Sequence, residues 1–335
     1  MHSLAKLGVV LIATGLSTAG TLPAAAATYT KIQVRHANGT HVSLINNVGQ
    51  VAGQVDDFEG PAFIRTPEGK VIRFAVDGAF VTIPRGLTDA GAVGGRYDLP
   101  DDSIHGFLRD ESGTLTAFDG PGLGAAEIAG MNAGSDIAGT YFIDENQNLG
   151  GFIRHADGTL TLFRIDDAYP ASLYVTGINR KGVVAGYYID TNFVSHGFLR
   201  KADGLIVTFD LPDGNGITVA AVNDRGWLTG FDFSGGLAHG YVWKRNGSFE
   251  TFDAPGAFIA ITAINNNGDV TGCYAKNFHN YGFIRKAGGK VIGFGLPWGE
   301  SENMCAQSIN NAGQVAGYVH YGSFGEDEVG FIRTP

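Results

Sequence analysis

INRKGVVAGYYIDTNFVSHGFLRKADGLIVTFD, residues 178–210, contains every phrase that recurs along this chain. An INxxG turn leads to a second glycine; a variable loop, GF(I/L)R, a polar turn ending in glycine and a closing aromatic follow. The second glycine returns as Gly53, Gly95, Gly139, Gly186, Gly230, Gly272 and Gly317, at intervals of 42, 44, 47, 44, 42 and 45 residues. The later phrase reads AFIR, GFLR, GFIR, GFLR, GYVW, GFIR and GFIR in the same order. Self-similarity at this period marks one supersecondary unit copied, and four short strands in about 40–45 residues make a propeller blade.

The turns support that reading. Asn/Gly phrases such as NNNG (265–268) supply the positive φ of a tight hairpin, and so do TPEG, DESG, HADG, KADG, KRNG and KAGG between the third and fourth strands. Across the latter the aromatics keep a spacing of 11 residues, as in Phe107–Phe118 and Phe198–Phe209. This predicts both rings on one sheet face. Ser135 replaces the turn glycine of the third repeat, with Gly134 one place early, which predicts a different turn type there.

The expected fold is all-β: a single seven-bladed β-propeller over residues 28–335, four antiparallel strands per blade. The last repeat stops at GFIRTP without a fourth strand, while YTKIQVRHANG (29–39) precedes the first repeat. Residues 29–35 are expected to complete the last blade and remove the open edge. Residues 1–27 read as a secretory signal peptide: Lys6, the apolar run LGVVLIATGL, then Ala25-Ala26-Ala27 with cleavage before Thr28. A secreted or periplasmic protein is expected, without a membrane span, because the apolar run is too short to cross a bilayer.

With a net charge of −10 and no basic cluster, nucleic acid is an unsuitable partner. A monomer is expected. Cys273 and Cys305 are the two cysteines, read either as a disulfide near one rim or as two buried thiols. No metal ligand spacing and no cofactor motif occurs. Asp144-x-Asn146-x-Asn148 has the opening of a calcium loop, but its glycine comes late and no closing Glu follows. GxSxG, HExxH and Walker phrases are also lacking.

The INN…G phrases, His105-Gly106-Phe107, His196-Gly197-Phe198, His239-Gly240-Tyr241, and TFD at 208–210 and 251–253 resemble the bacterial extracellular HAF repeat family. The resemblance covers the mature chain and implies export and a repeat fold. It implies no established chemistry and carries over no catalytic residue.

Function is expected on the face bearing the loops between second and third strands. There the distance from glycine to aromatic varies through 10, 12, 13, 12, 11, 11 and 14 residues. Tyr97, Tyr141, Tyr188 and Tyr274 stand two places past the glycine, three of them near Asp98, Asp144 and Asp190. Aromatic faces pack on sugar C–H surfaces and carboxylates accept hydroxyl hydrogen bonds. With His279 and His320, which lie off the repeated histidine position, these residues form the candidate site of a secreted binding module for an extracellular glycan or protein. The alternative is a polysaccharide lyase or glycoside hydrolase at the channel mouth, using Tyr188 with His196, or Asp190 with Asp232. The HGF histidines His105, His196 and His239 share one repeat position, which predicts a structural role, bonding to a neighbouring blade.

Overall fold

A computed structural model describes residues 26–55, 60–211, 216–232, 238–298, 303–321 and 327–335. The secretory signal expected over 1–27 lies outside the described residues except for its last two. All regular structure among the described residues is strand, 28 in number. β1 spans Thr28–Ile32. The first repeat is β2 (Thr40–Ile45), β3 (Val51–Val55), β4 (Ala62–Arg65) and β5 (Val71–Phe74). The second is β6 (Val81–Leu87), β7 (Val93–Asp98), β8 (Ile104–Arg109) and β9 (Leu115–Phe118). The third is β10 (Ala125–Met131), β11 (Ile137–Phe142), β12 (Leu149–Arg154) and β13 (Leu160–Phe163). The fourth is β14 (Ala168–Ile178), β15 (Val184–Asp190), β16 (Ser195–Arg200) and β17 (Ile206–Phe209). The fifth is β18 (Ile217–Val222), β19 (Leu228–Asp232), β20 (His239–Trp243) and β21 (Phe249–Phe252).

Each of these five is a separate four-stranded antiparallel sheet with its first strand innermost. The remaining strands are β22 (Ala257–Ile264), β23 (Val270–Lys276), β24 (His279–Arg285), β25 (Val291–Phe294), β26 (Asn303–Ile309), β27 (Val315–Tyr321) and β28 (Asp327–Thr334). With β1 they form one eight-stranded sheet. The expectation of seven separate blades is therefore corrected: five four-stranded blades stand alone, not seven. The cause is local. A parallel bridge, Asn280↔Asn303, joins β24 to β26, and a disulfide between Cys273 and Cys305 ties β23 to β26. β1 pairs antiparallel with β28 from Thr28↔Thr334 to Ile32↔Gly330, over 28–32 rather than 29–35. Ile32 and Val34 are buried with Val42, Phe63 and Ile332, so both chain ends share one core cluster.

The repeated glycine has a steric cause. Every innermost strand carries a register shift, for example between Val175 and Gly177 in β14 or Ile261 and Ala263 in β22. Such a bulge pushes one carbonyl towards the second strand. A Cβ on Gly53, Gly95, Gly139, Gly186, Gly230, Gly272 or Gly317 would lie 1.8–2.2 Å from that oxygen.

GF(I/L)R also resolves into physical parts. Phe63, Phe107, Phe152, Phe198, Phe283 and Phe331 are fully buried, each contributing about 1.5–3 kcal/mol. The preceding glycine makes room for the fourth-strand ring opposite it, as at Gly106↔Phe118 and Gly197↔Phe209. The expectation that both rings share a face is thus wrong: Phe118 lies over Gly106, and Phe107, the next residue, points the other way. The fourth-strand ring meets the following repeat instead, in Phe74–Phe107, Phe163–Phe198 and Phe294–Phe331 contacts at 6.0–6.3 Å. The arginine of the phrase then covers the same ring. Arg109 lies over Phe74, Arg154 over Phe118, Arg200 over Phe163, Arg285 over Phe252 and Arg333 over Phe294, at 4.6–5.6 Å.

At the first turn, Asn265 caps its own hairpin by accepting from the Asn267 and Asp269 amides, and its Nδ2 donates to the Asn310 carbonyl in the next repeat. The same rung recurs from Asn179 to Asn223, Asn223 to Asn265, Asn310 to Asn46 and Asn46 to Thr88, each at 2.9 Å. Thr88 has no amide to hand on, and Asn132 Nδ2 turns back to Asp136. The different turn expected at Ser135 does not occur. Ser135 takes the glycine's positive φ (65°), and its amide donates to the Asn132 carbonyl as Gly49 does to Asn46.

Candidate functional site

Structure corrects the aromatic rim. Tyr97, Tyr141, Tyr188 and Tyr274 are only 5–7% exposed and belong to the cores between repeats. Tyr97 stacks on His105, Tyr188 on His196 and Tyr274 on Tyr281, at 5.1–5.5 Å. Their phenols present little face to a ligand.

The HGF histidines bond within their own repeat and not across to a neighbour. His105 Nδ1 bonds Asp119, His196 Nδ1 bonds Asp210 and His239 Nδ1 bonds Asp253, at 2.5–2.8 Å. Each aspartate stands 14 residues after its histidine; repeats with another residue at the histidine position have no aspartate there. The bracket ties the start of the third strand to the exit of the fourth.

Asp144 and Asp190 serve their own loops. Asp144 accepts from the Asn146 and Asn148 amides and from Asn148 Nδ2, the side-chain bond being the main reason its carboxyl lies below the usual range. The calcium opening read in the sequence has its carboxylate committed to the loop, and no group of three or more metal-suited side chains exists among the described residues. Asp190 accepts from the Val194 and Asn192 amides and lies 3.5 Å from His196. Asp98 pairs with Arg96 at 3.4 Å. His279 opens β24 at partial exposure.

Neither expected catalytic pair has suitable chemistry. Burial first, then Asp167, Asp210 and Asp190, raises the Tyr188 phenol above its ordinary value, which keeps it protonated and makes it a poor base at neutral pH. His196 lies between Asp210 and Asp190. Asp232 is 2% exposed, so it does not form an open carboxylate pair with Asp190.

A different group forms where the first repeat meets the last sheet. His41 Nδ1 is 2.6 Å from Glu328 Oε1, and His320 Nε2 is 3.5 Å from the same oxygen. The Glu328 side chain is wholly buried, yet among the described residues its Oε2 has no hydrogen-bond partner, and neither has His320 Nδ1. The Tyr318 ring packs 4.0 Å from the His41 ring. Burial, then Glu328, raises its phenol, so it remains a donor. His320 was expected in a site; His41, Tyr318 and Glu328 were not.

One signal could have revealed them. His41 holds the repeat position whose carbonyl meets the glycine, and Tyr318 follows the glycine itself. The same two positions hold Arg96 and Glu127, paired at 2.7 Å between the second and third repeats, and Cys273 and Cys305 between the sixth and seventh. Other parts of the repeat are copied; this inner layer is rewritten at each boundary. Arg85 adds a second contact to Glu127 at 3.2 Å.

No family model and no curated protein matches the chain. Solved structures do. A streptogramin B lyase structure aligns with TM-score 0.63 and 14% identity over 92% of this chain and 98% of that one. Catalytically inactive virginiamycin B lyase from Staphylococcus aureus, with quinupristin, aligns at 0.62 and 13% over 92% and 100%. A prolyl endopeptidase aligns at 0.60 and 10% over 85% of this chain and 47% of its own. At these identities the likeness is one of fold: the chain is a β-propeller. No helix among the described residues is long and apolar enough to cross a membrane.

Proposed function

We propose that the protein is an exported binding propeller whose ligand site lies on the loop face, between β2 and the β27–β28 edge of the last sheet. One observation carries this reading: a fully buried carboxylate, Glu328, with one oxygen held by His41 and the other unpartnered among the described residues. Buried polar atoms are almost always satisfied, so a vacant acceptor beside an unpartnered imidazole nitrogen marks an unmet polar demand, and the His320 ring, 25% exposed, is where a ligand with both donor and acceptor groups reaches it. Glycan hydroxyls have that character, which keeps an extracellular glycan as the preferred ligand. Export rests on the leader and on β1 beginning at Thr28, the residue after the expected cleavage point. The HAF-type resemblance agrees with export.

Calorimetric titration of the mature protein with a panel of neutral and acidic oligosaccharides tests the reading. Binding that falls about tenfold in Glu328→Gln, a loss of about 1.4 kcal/mol, with an unchanged melting temperature, supports it. A blank panel with folded wild-type protein refutes the glycan assignment.

A second reading, acid–base catalysis at the same place, is favoured by two imidazoles sharing one carboxylate. A carboxylate on Nδ1 fixes the tautomer and orientation of a catalytic histidine. Two of the similar structures are lyases, and at 13–14% identity they carry the fold alone. Unsaturated product absorbance on acidic polysaccharides, abolished in His41→Gln, separates turnover from binding.

A further inference from the structure

The opposite face carries a second feature, independent of the loop-face reading. Between the turns of the fourth and fifth repeats lies a cavity of about 440 Å³. We propose that it binds a small organic anion with an apolar, preferably aromatic, body.

Charge is the first argument. Lys181 and Lys201 enter from the fourth repeat, Arg225 and Arg245 from the fifth. None forms an ion pair among the described residues, although the chain carries ten more negative than positive charges. Arg225 lies over the Trp227 ring at 5.3 Å. The one carboxylate lining the cavity, Asp224, is engaged elsewhere: Oδ1 accepts from the Arg180 amide and Oδ2 from Asn266 Nδ2. Four cations thus face one committed anion.

The floor is the second argument. It is built from Val183, Leu199 and Trp243. Trp243 stands where five other repeats place the arginine that covers a neighbouring phenylalanine, and it stacks its indole on Phe209 at 4.7 Å and 17°. The fifth repeat therefore departs from its copies at the residue that makes this floor apolar. An anionic head among the cations and an apolar body against Val183, Val207 and the exposed edge of the indole fit a cavity of this size.

Anilinonaphthalene sulfonate, titrated by fluorescence into the mature protein, is the probe. Saturable one-to-one binding is expected, displaced by an aromatic carboxylate but not by inorganic sulfate at equal concentration. Lys201→Glu with Arg245→Glu should weaken it about tenfold while leaving the melting temperature unchanged. Trp243→Arg, which restores the repeat's own residue, should weaken it similarly. Lys70→Glu with Lys290→Glu, on other turns of the same face, should have no effect. Non-saturable binding, equal loss in the control pair, displacement by sulfate alone, or full affinity in both cavity variants each overturns the proposal.

Discussion

Gly186→Ala and Gly177→Ala form the sharpest test of why the repeat exists. Both glycines lie in the fourth repeat and neither has a positive φ, so backbone strain does not separate them. At Gly186 a new Cβ would be 2.0 Å from the Tyr174 carbonyl oxygen and 2.7 Å from the Phe198 ring. At Gly177 the nearest atom is the Val222 side chain, at 3.7 Å. The first is a shortfall of roughly 1.4 Å against rigid backbone, for which overpacking data give about 3 kcal/mol. The second is ordinary contact and is expected to be neutral or to stabilise by about 0.5 kcal/mol through the unfolded chain. With an unfolding entropy of about 2 cal/mol/K per residue, 3 kcal/mol corresponds to roughly 5 °C for a propeller of this length. Scanning calorimetry of the two variants measures this. Melting temperatures within about 1 °C of each other would refute the bulge-and-glycine explanation of the period.

Ser135→Gly should stabilise by about 1 kcal/mol, because a non-glycine residue is removed from φ 65°; a lower melting temperature would show that the serine side chain matters more than its backbone. Reducing Cys273–Cys305, which closes a loop of sequence separation 32, should cost about 3–4 kcal/mol, read as a melting shift with reductant that Cys305→Ser reproduces. Glu250 bonds Lys244 and Arg285, which holds its carboxyl below its ordinary 4.5. Its contribution is therefore present above that value and lost as pH falls through the lower folded one. Glu250→Gln should thus be slightly less stable than wild type at neutral pH and converge with it in acid; a constant gap contradicts the assignment. Tyr241→Phe should cost about 0.5–1.5 kcal/mol, since it removes the bond from the buried hydroxyl to the Thr218 carbonyl while retaining the ring that six other repeats possess.

Periodicity made the strands legible, because a repeated turn and a repeated ring are local patterns. The incomplete last repeat likewise pointed to the N-terminal strand. What escaped was set by contacts between repeats. The 11-residue spacing was visible, but only the register Gly106↔Phe118 shows that the second ring faces the next repeat. The merging of the last seven strands into one sheet depends on the Asn280↔Asn303 bridge, which no repeat pattern encodes. The tyrosines read as a rim because they repeat beside loops, and they repeat because every boundary needs a filler there. His41 and Glu328, 287 residues apart, meet only because the chain's ends do.

The asparagine rungs make the ring's resistance to opening uneven. From Asn179 they run through Asn223, Asn265 and Asn310 to Asn46 and Thr88, and then they stop. Among the described residues no such rung links the second repeat to the third or the third to the fourth; the Arg96–Glu127 pair holds the former, and no disulfide or ion pair joins the latter. A closed ring needs only one boundary to part before the rest can peel away. Heat or pulling should therefore breach this ring beside Asn132, on the side facing Asn179, where amide protons should exchange first, and not at the seam where the two chain termini meet.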